Sequence, residues 1–270
     1  MKRFQNKVAV ITGASAGIGE SCARKFVAEG AKVVLAARGV EALEKLANEL
    51  GTDVAYAVPT DIADMDSCKN LLEQAQSKLG SVDVLVNNAG FNSRGALKDI
   101  PVEDMLQILN VNLRGPMLLT RLALPIMLGQ GSGSIVGVAS LAGRIPLEDE
   151  ATYSATKFGL RTFSFALADE LEGTGVKVSV VSPGPVETGF IIESIDEVPD
   201  IVFSQPMSTA DEIADLVLES AFDGRRERVK PTMGARLATL GYLLPAMRRA
   251  LKPRLEAKGR REKNKYRSRG

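Results

Sequence analysis

Lys7-Val8-Ala9-Val10-Ile11-Thr12-Gly13-Ala14-Ser15-Ala16-Gly17-Ile18-Gly19 begins as an apolar, β-branched run and ends in glycines. The first half reads as a buried strand and the second as the turn that opens a helix. Glycines at 13, 17 and 19 permit a tight turn and let backbone N–H groups approach a pyrophosphate at the positive end of that helix. The spacing is G-x-x-x-G-x-G rather than G-x-G-x-x-G. Standing alone, it also fits an ordinary strand–helix turn; its place on the first strand favours a cofactor.

Outward from this unit, short β-branched runs recur at 32–37, 53–58, 82–87, 133–139 and 176–181. Helical patterns lie between them, near 17–29, 39–50, 64–79, 101–128 and 152–172. Strands that are almost wholly apolar fit a parallel sheet covered on both faces. The alternation predicts an α/β fold, a Rossmann-like doubly wound sheet of about seven strands with ligands beyond the strands' carboxyl ends. A helix at 209–222 and a short strand near 228–231 complete it. The expected division is a nucleotide-binding and catalytic domain over 1–232, with an apolar lid at 184–206, and a basic extension over 233–270.

Composition narrows the chemistry. The chain has 270 residues, 45% hydrophobic and 25% charged, ordinary for a globular protein. It contains no histidine, which excludes Ser-His-Asp triads and histidine general bases and disfavours most transition-metal sites, so no metal is expected. Cys22 and Cys68 have neither metal-ligand nor redox spacing, and a reducing cytoplasm is the simplest setting. The run before Gly13 is too short for a signal-peptide core, and no apolar run nears the roughly 20 residues that span a bilayer. The net charge of +1 conceals an asymmetry: residues 225–270 hold 16 of the 34 basic residues and three of the 33 acidic ones. The chain is an acidic body with a basic tail.

Tyr153-Ser154-Ala155-Thr156-Lys157, with Ser140 upstream, is the candidate for the chemistry, although Y-x-x-x-K standing alone also fits a solvated helix face. A tyrosine and a lysine four apart on a helix share a face. An ammonium beside a phenol stabilises the phenolate; moving a tyrosine from about 10 toward 7 or 8 takes roughly 3–4 kcal/mol. A close cation together with the partial positive charge of a nicotinamide ring can supply that. Strand two ends in Ala36-Ala37-Arg38, where NAD enzymes place an acid for the ribose 2′-hydroxyl. Arg38 instead suits a 2′-phosphate or is a solvated loop residue, and NADP(H) is favoured over NAD(H). Asp61 is placed to accept from an adenine amine or to cap the next helix. In Asn87-Asn88-Ala89-Gly90 the asparagines can tie strand ends together, while Ala89 and Gly90 leave room for a flat cofactor.

With these motifs assembled, the sequence resembles the short-chain dehydrogenase/reductase family across roughly residues 5–230. The matches are TGxxxGxG at 12–19, NNAG at 87–90, Asn112 in N-V-N, Ser140, YxxxK at 153–157 and P-G-x-V-x-T at 183–188. The resemblance implies a catalytic tetrad. Tyr153 is its general acid or base, and Lys157 lowers the tyrosine pKa and binds the nicotinamide ribose. Ser140 polarises the substrate oxygen, and Asn112 holds a water that resupplies protons, with Asn110 its competitor. The same resemblance assigns cofactor contacts to Gly13, Ser15, Ala16, Gly17, Ile18, Gly19, Asn88, Ala89, Gly90, Pro183, Gly184, Val186 and Thr188, besides Tyr153 and Lys157. It also implies a homodimer through helices 101–128 and 152–172; absence of the short ending common in bacterial members weakens the expectation of a tetramer.

That ending is replaced by Met233, Leu237, Leu240, Leu244, Met247 and Leu251, an apolar stripe on a helix expected to kink at Pro245, followed by a loose basic run at 258–269. The stripe either packs on the acidic body and roofs the pocket or lies on an anionic membrane surface. The basic tail lacks the interleaved aromatics of a nucleic-acid binder. Glu148-Asp149-Glu150, just before Tyr153, reads as a solvated loop or else as a pocket rim that disfavours anionic substrates. These features lead to an oxidoreductase that moves a hydride between NADP(H) and a carbonyl or alcohol of a hydrophobic, lipid-, steroid- or retinoid-like substrate. The alternatives are a 3-oxoacyl-thioester reductase and, in another class, a cofactor-sensing or scaffold protein.

Overall fold

Apolar runs of four to eight residues can be buried on both faces only between helices, and that is where the chain puts them. In the computed structural model, which describes residues 2–268, seven strands form one sheet. They are β1 (Val8–Thr12), β2 (Lys32–Ala37), β3 (Ala55–Pro59), β4 (Val84–Asn87), β5 (Gly133–Val138), β6 (Val176–Pro183) and β7 (Glu227–Lys230). Their order is β3-β2-β1-β4-β5-β6-β7, and every neighbouring pair is parallel. β1 and β4 are buried along their whole length. Phe26, Leu35, Leu43 and Ile213 fill one face of the sheet; Val10, Leu71, Leu85 and Met127 fill the other. Winding runs outward from β1 to β3, then crosses to β4. The reversal lies between β1 and β4, where a doubly wound sheet opens a crevice at its carboxyl edge.

Ten helices surround the sheet among the described residues: α1 (Gly17–Ala28), α2 (Val40–Leu50), α3 (Met65–Leu79), α4 (Val102–Leu109), α5 (Gly115–Gln130), α6 (Ala151–Glu170), α7 (Gly189–Ile192), α8 (Ala210–Asp223), α9 (Thr232–Leu243) and α10 (Pro245–Arg267). Short polar side chains start two of them: Asp64 accepts from the Ser67 amide at 2.7 Å at α3, and Thr209 and Glu212 form a reciprocal capping box at α8.

Three departures from the sequence expectations matter for the site. The span 101–128 is not one regular helix, because a π-helical turn at Asn110–Arg114 separates α4 from α5. Such a turn inserts a residue, and here it drives Asn112 into the interior. Pro245 does not kink a helix; it starts one, after Leu244 leaves the helical conformation at φ −122°, ψ 76°. Proline suits this first position, where its missing N–H costs nothing. The run at 258–269, of which 269 lies outside the described residues, is helical through Arg267 and packs against a 3-10 turn, Asp200–Ser204, in the segment 184–206. Lys263 is buried with its ammonium 2.6 Å from the Val198 carbonyl and 3.5 Å from Asp200. Arg260 also pairs with Asp200, and Arg267 pairs with Asp196. Three of the tail's basic residues are thus paired with carboxylates of this segment.

Glu227 of β7 joins four elements. It accepts from Arg161 of α6 at 2.9 Å and Ser182 of β6 at 2.7 Å, and pairs with Arg144, which in turn donates to Thr239 of α9 at 3.0 Å. Burial opposes the Glu227 charge, but hydrogen bonds from Arg161 and Ser182 and the two guanidinium charges outweigh it and hold the carboxyl below its ordinary value. A carboxyl held low contributes stability above its unfolded value, and that stability fades as pH falls through the lower folded value. Glu227→Gln should therefore cost about 3 kcal/mol at pH 7, the range for one partner lost from a buried pair. In urea denaturation the gap between variant and wild type should narrow below about pH 4.

Candidate active site

The crevice is built from the glycine turn upward. Gly13 has φ +65°, and a Cβ there would stand 2.9 Å from the Ala89 Cα; at Gly19 it would stand 2.1 Å from the Gly13 carbonyl oxygen. Only hydrogen fits at either position, which is why the turn can lie flat against the end of β4. Thr12 and Asn88 fasten the two strand ends. The Thr12 hydroxyl donates to the Val86 carbonyl at 3.2 Å and accepts from the Asn88 and Ala89 amides at 3.0 Å. The Asn88 side chain donates to the Thr12 and Gly13 carbonyls at 2.9 and 3.3 Å. From the other side, Thr188 approaches Gly17: a Cβ on that glycine would lie 3.1 Å from Thr188 Cγ2.

A cavity of about 780 Å³ runs from this cradle to the C-terminal helices. Gly13, Ser15, Ala16, Gly17 and Ile18 line one end with Asn88, Ala89, Gly90, Pro183, Gly184, Val186 and Thr188. Ser140, Tyr153 and Lys157 stand in the middle. Leu147, Ile191, Leu237, Met247, Leu251 and Leu255 line the cavity as well, interleaved with the charged Glu148, Arg248, Lys252 and Glu256. Gly19 lies behind the turn, and Arg38 and Asp61 are exposed residues outside the cavity wall. Arg38 follows β2 directly, at the same sheet edge as the glycine turn. Asp61 accepts from the Ala63 amide at 2.9 Å, while Asp64 caps α3.

In the middle of the cavity, the buried Lys157 donates to the Val138 carbonyl at 2.9 Å and stands 5.6 Å from the centre of the Tyr153 ring. Burial lowers the Lys157 ammonium to about 8, so it still holds its proton at pH 7. Tyr153 moves the other way: burial and then the charge of Glu150 raise its phenol, partly offset by a hydrogen bond with Ser140 and by the Arg94 charge. In this protein alone, the phenol is therefore a protonated donor at neutral pH. Ser140 is extended and its hydroxyl accepts from the Ala142 amide at 3.1 Å, which fixes it at the end of β5. Asn112 sits behind the cavity wall, accepting from the Phe91 amide and donating to its carbonyl, both at 2.8 Å. Its amide also reaches Thr156 at 3.4 Å, so the π-helical turn and α6 are joined one residue from Lys157.

Sequence reasoning overlooked Arg94 and misjudged Glu150. Glu150 is not part of a solvated loop; it is 5% exposed and pairs with Arg94 at 3.0 Å beside Tyr153. A charge in a loop without periodicity gives no sign of burial. Glu148, by contrast, is exposed and pairs with Lys252 of α10.

The comparisons with known proteins agree with this architecture. A family model described as short chain dehydrogenase matches residues 7–198. An uncharacterized oxidoreductase of Staphylococcus aureus is 40% identical over 188 residues, 70% of this chain and 81% of that protein. The mouse protein called dehydrogenase/reductase SDR family member 7B is 36% identical over 198 residues, 71% of this chain and 61% of its own. This chain belongs to the short-chain dehydrogenase family. It is an oxidoreductase of the kind that acts on CH–OH and C=O groups with a nicotinamide cofactor. Among the described residues no cluster of side chains could hold a metal ion, and no helix is long and apolar enough to cross a membrane.

The cradle depends on backbone approach, so a single methyl group should disable it. Gly19→Ala places its Cβ against a backbone carbonyl that cannot yield cheaply. Isothermal titration should show NADPH affinity falling at least tenfold, with circular dichroism showing an intact sheet; unchanged affinity would mean the turn does not carry the cofactor.

Proposed function

We propose that the protein uses NADP(H) to interconvert a carbonyl and an alcohol on an apolar substrate, reduction being the favoured direction with NADPH. The observation that carries this reading is the cavity itself, in which Ser140, Tyr153 and Lys157 share one wall with the glycine cradle and with the apolar side chains of Leu237, Met247, Leu251 and Leu255. When bound, the nicotinamide supplies or accepts the hydride. Tyr153 gives its phenolic proton to the substrate oxygen in reduction and takes it back in oxidation. Ser140 donates to the same oxygen as charge builds on it. Lys157 holds a positive charge near the ring and a hydroxyl of the cofactor ribose, favouring the phenolate that follows proton transfer. Asn112 fixes the backbone of Phe91 and stands one side chain from α6, the position from which a water can pass protons to Lys157.

The cofactor fits by shape and by charge. Gly90 lines the cavity beside Lys157: a Cβ there would lie 3.9 Å from the Lys157 ammonium and 3.7 Å from the Asn112 side-chain oxygen. Arg38, exposed and without an acid at the end of β2, supports the 2′-phosphate and hence NADP(H). Apolar substrates are supported by the apolar side chains that α9 and α10 supply from outside the stretch matched by the family model. Exposed apolar residues on α4 and α5, Val102, Leu106, Met117 and Leu128, support pairing of two copies through these helices. Met233, Leu240, Leu243 and Leu244 are also exposed, next to Leu237 at the cavity and among Arg236, Arg248 and Arg249. That combination supports contact with an anionic membrane surface, from which a lipophilic substrate enters directly.

The test is NADPH and NADH oxidation with decanal, 2-decanone and an acetoacetyl thioester. Turnover of the two lipophilic carbonyls should be lost by about a thousandfold in Tyr153→Phe, within the usual range for a general acid. Arg38→Asp should reverse the preference toward NADH. Turnover of the thioester alone would establish a 3-oxoacyl-thioester reductase instead.

Membrane contact is tested separately by flotation. The protein should rise with vesicles of phosphatidylglycerol and phosphatidylcholine and not with phosphatidylcholine alone, and Leu243→Glu/Leu244→Glu should abolish the effect.

A further inference from the structure

Arg94 and Glu150 form the most deeply buried ion pair among the described residues, with side chains 6% and 5% exposed. Taking two charges out of water costs several kcal/mol per ion, and an apolar pair of similar volume is often no less stable. The pair therefore needs a reason beyond stability, and its connections supply one. Arg94 rises from the loop after β4, and Glu150 is the residue before α6, three ahead of Tyr153. The Arg94 Nε donates to Glu150 at 3.0 Å. Its two terminal nitrogens point the opposite way, into the lid: one donates to the Ser194 hydroxyl at 2.6 Å, the other to the Phe190 carbonyl at 3.2 Å. The guanidinium also covers the Phe190 ring, 5.3 Å from its centre, and that ring lies 6.2 Å from the ring of Tyr153.

We propose that Arg94 is a positioning residue that latches the lid to the amino-terminal end of the catalytic helix and seats Phe190 beside Tyr153. Glu150 takes the Nε edge of the guanidinium and aims the remaining fork at α7 and Ser194. With the lid down, both terminal nitrogens are satisfied and Phe190 forms a wall of the cavity. Lifting the lid breaks the two lid bonds and leaves the Glu150 bond intact. The pair also acts on the phenol, because Glu150 disfavours the phenolate more strongly than Arg94 favours it. Lysine cannot reproduce this geometry, since a single ammonium has no rigid fork with which to reach both sides.

Hydrogen exchange of the full chain, read over 189–204 in the lid and 210–223 in α8, tests the latch without a substrate. Ser194→Ala removes one of the two lid bonds, leaving that to the Phe190 carbonyl, and should speed exchange over 189–204 about tenfold, the effect of one lost hydrogen bond to a charged group, with 210–223 unchanged. Arg94→Met alone leaves Glu150 buried and unpaired and can fail to fold, so the informative variant is Arg94→Met/Glu150→Gln. It should fold, expose the lid more than Ser194→Ala does, and, with decanal and NADPH, raise KM about tenfold while changing kcat less. Arg94→Lys should recover the thermal midpoint but not the lid protection. Wild-type lid exchange in the folded double variant and in Ser194→Ala would overturn the latch. Absence of decanal turnover by the wild type would count against the apolar-substrate reading alone, and the exchange result would still decide the latch.

Discussion

The site depends on a few hydrogen bonds that pin the ends of β1 and β4 together. Where a doubly wound sheet reverses its winding, the two strand ends diverge into loops, and nothing in the ladder holds those loops in register. Thr12 and Asn88 supply that restraint through each other's backbone groups. Because they do, the glycine turn and the Ala89-Gly90 step approach to backbone contact, and the cradle's wall is main chain rather than mobile side chain. The rest of the site is placed relative to this corner. Ser140 ends β5, the next strand along, and Lys157 reaches back from α6 to the Val138 carbonyl of that same strand. Asn112 is turned inward by a π-helical turn that packs against α6.

Charge is the second organising element. The body is acidic and the tail basic, and α10 brings the two together over the lid, where Lys263, Arg260 and Arg267 meet Asp200 and Asp196. These partners differ in worth. Exposed pairs such as Arg267 with Asp196 contribute little. Lys263 is buried among carbonyls, so it fixes where α10 lies. The consequence reaches the chemistry, because Met247, Leu251 and Leu255 on the same helix line the cavity. The part of the chain outside the family match thus lines part of the cavity wall.

Burial around Tyr153 creates a balance rather than a simple activation. The surroundings keep the phenol protonated, while Lys157 is brought down to about 8 yet remains charged near neutrality. A tyrosine that holds its proton until a substrate oxygen develops negative charge is suited to giving it up at that moment. The Ser140 hydroxyl and the opposed charges of Arg94 and Glu150 act on that same group.

The sequence alone determined the sheet, its seven strands and the family. Alternating apolar runs, glycine spacing and a tyrosine–lysine pair four residues apart are local patterns, and local patterns survive being read in one dimension. The same is true of the corner residues: Asn88 and Gly13 were legible because a strand end followed by asparagine and glycine has few other uses. Tertiary structure decided what lies across the chain. Arg94 meets Glu150, 56 residues away, and Ser194, 100 residues away; each looks like an ordinary loop residue until the lid closes on them. The tail's path was equally hidden, since a basic run with little apolar periodicity becomes a helix only when lid carboxylates and carbonyls lie beneath it to take its charges.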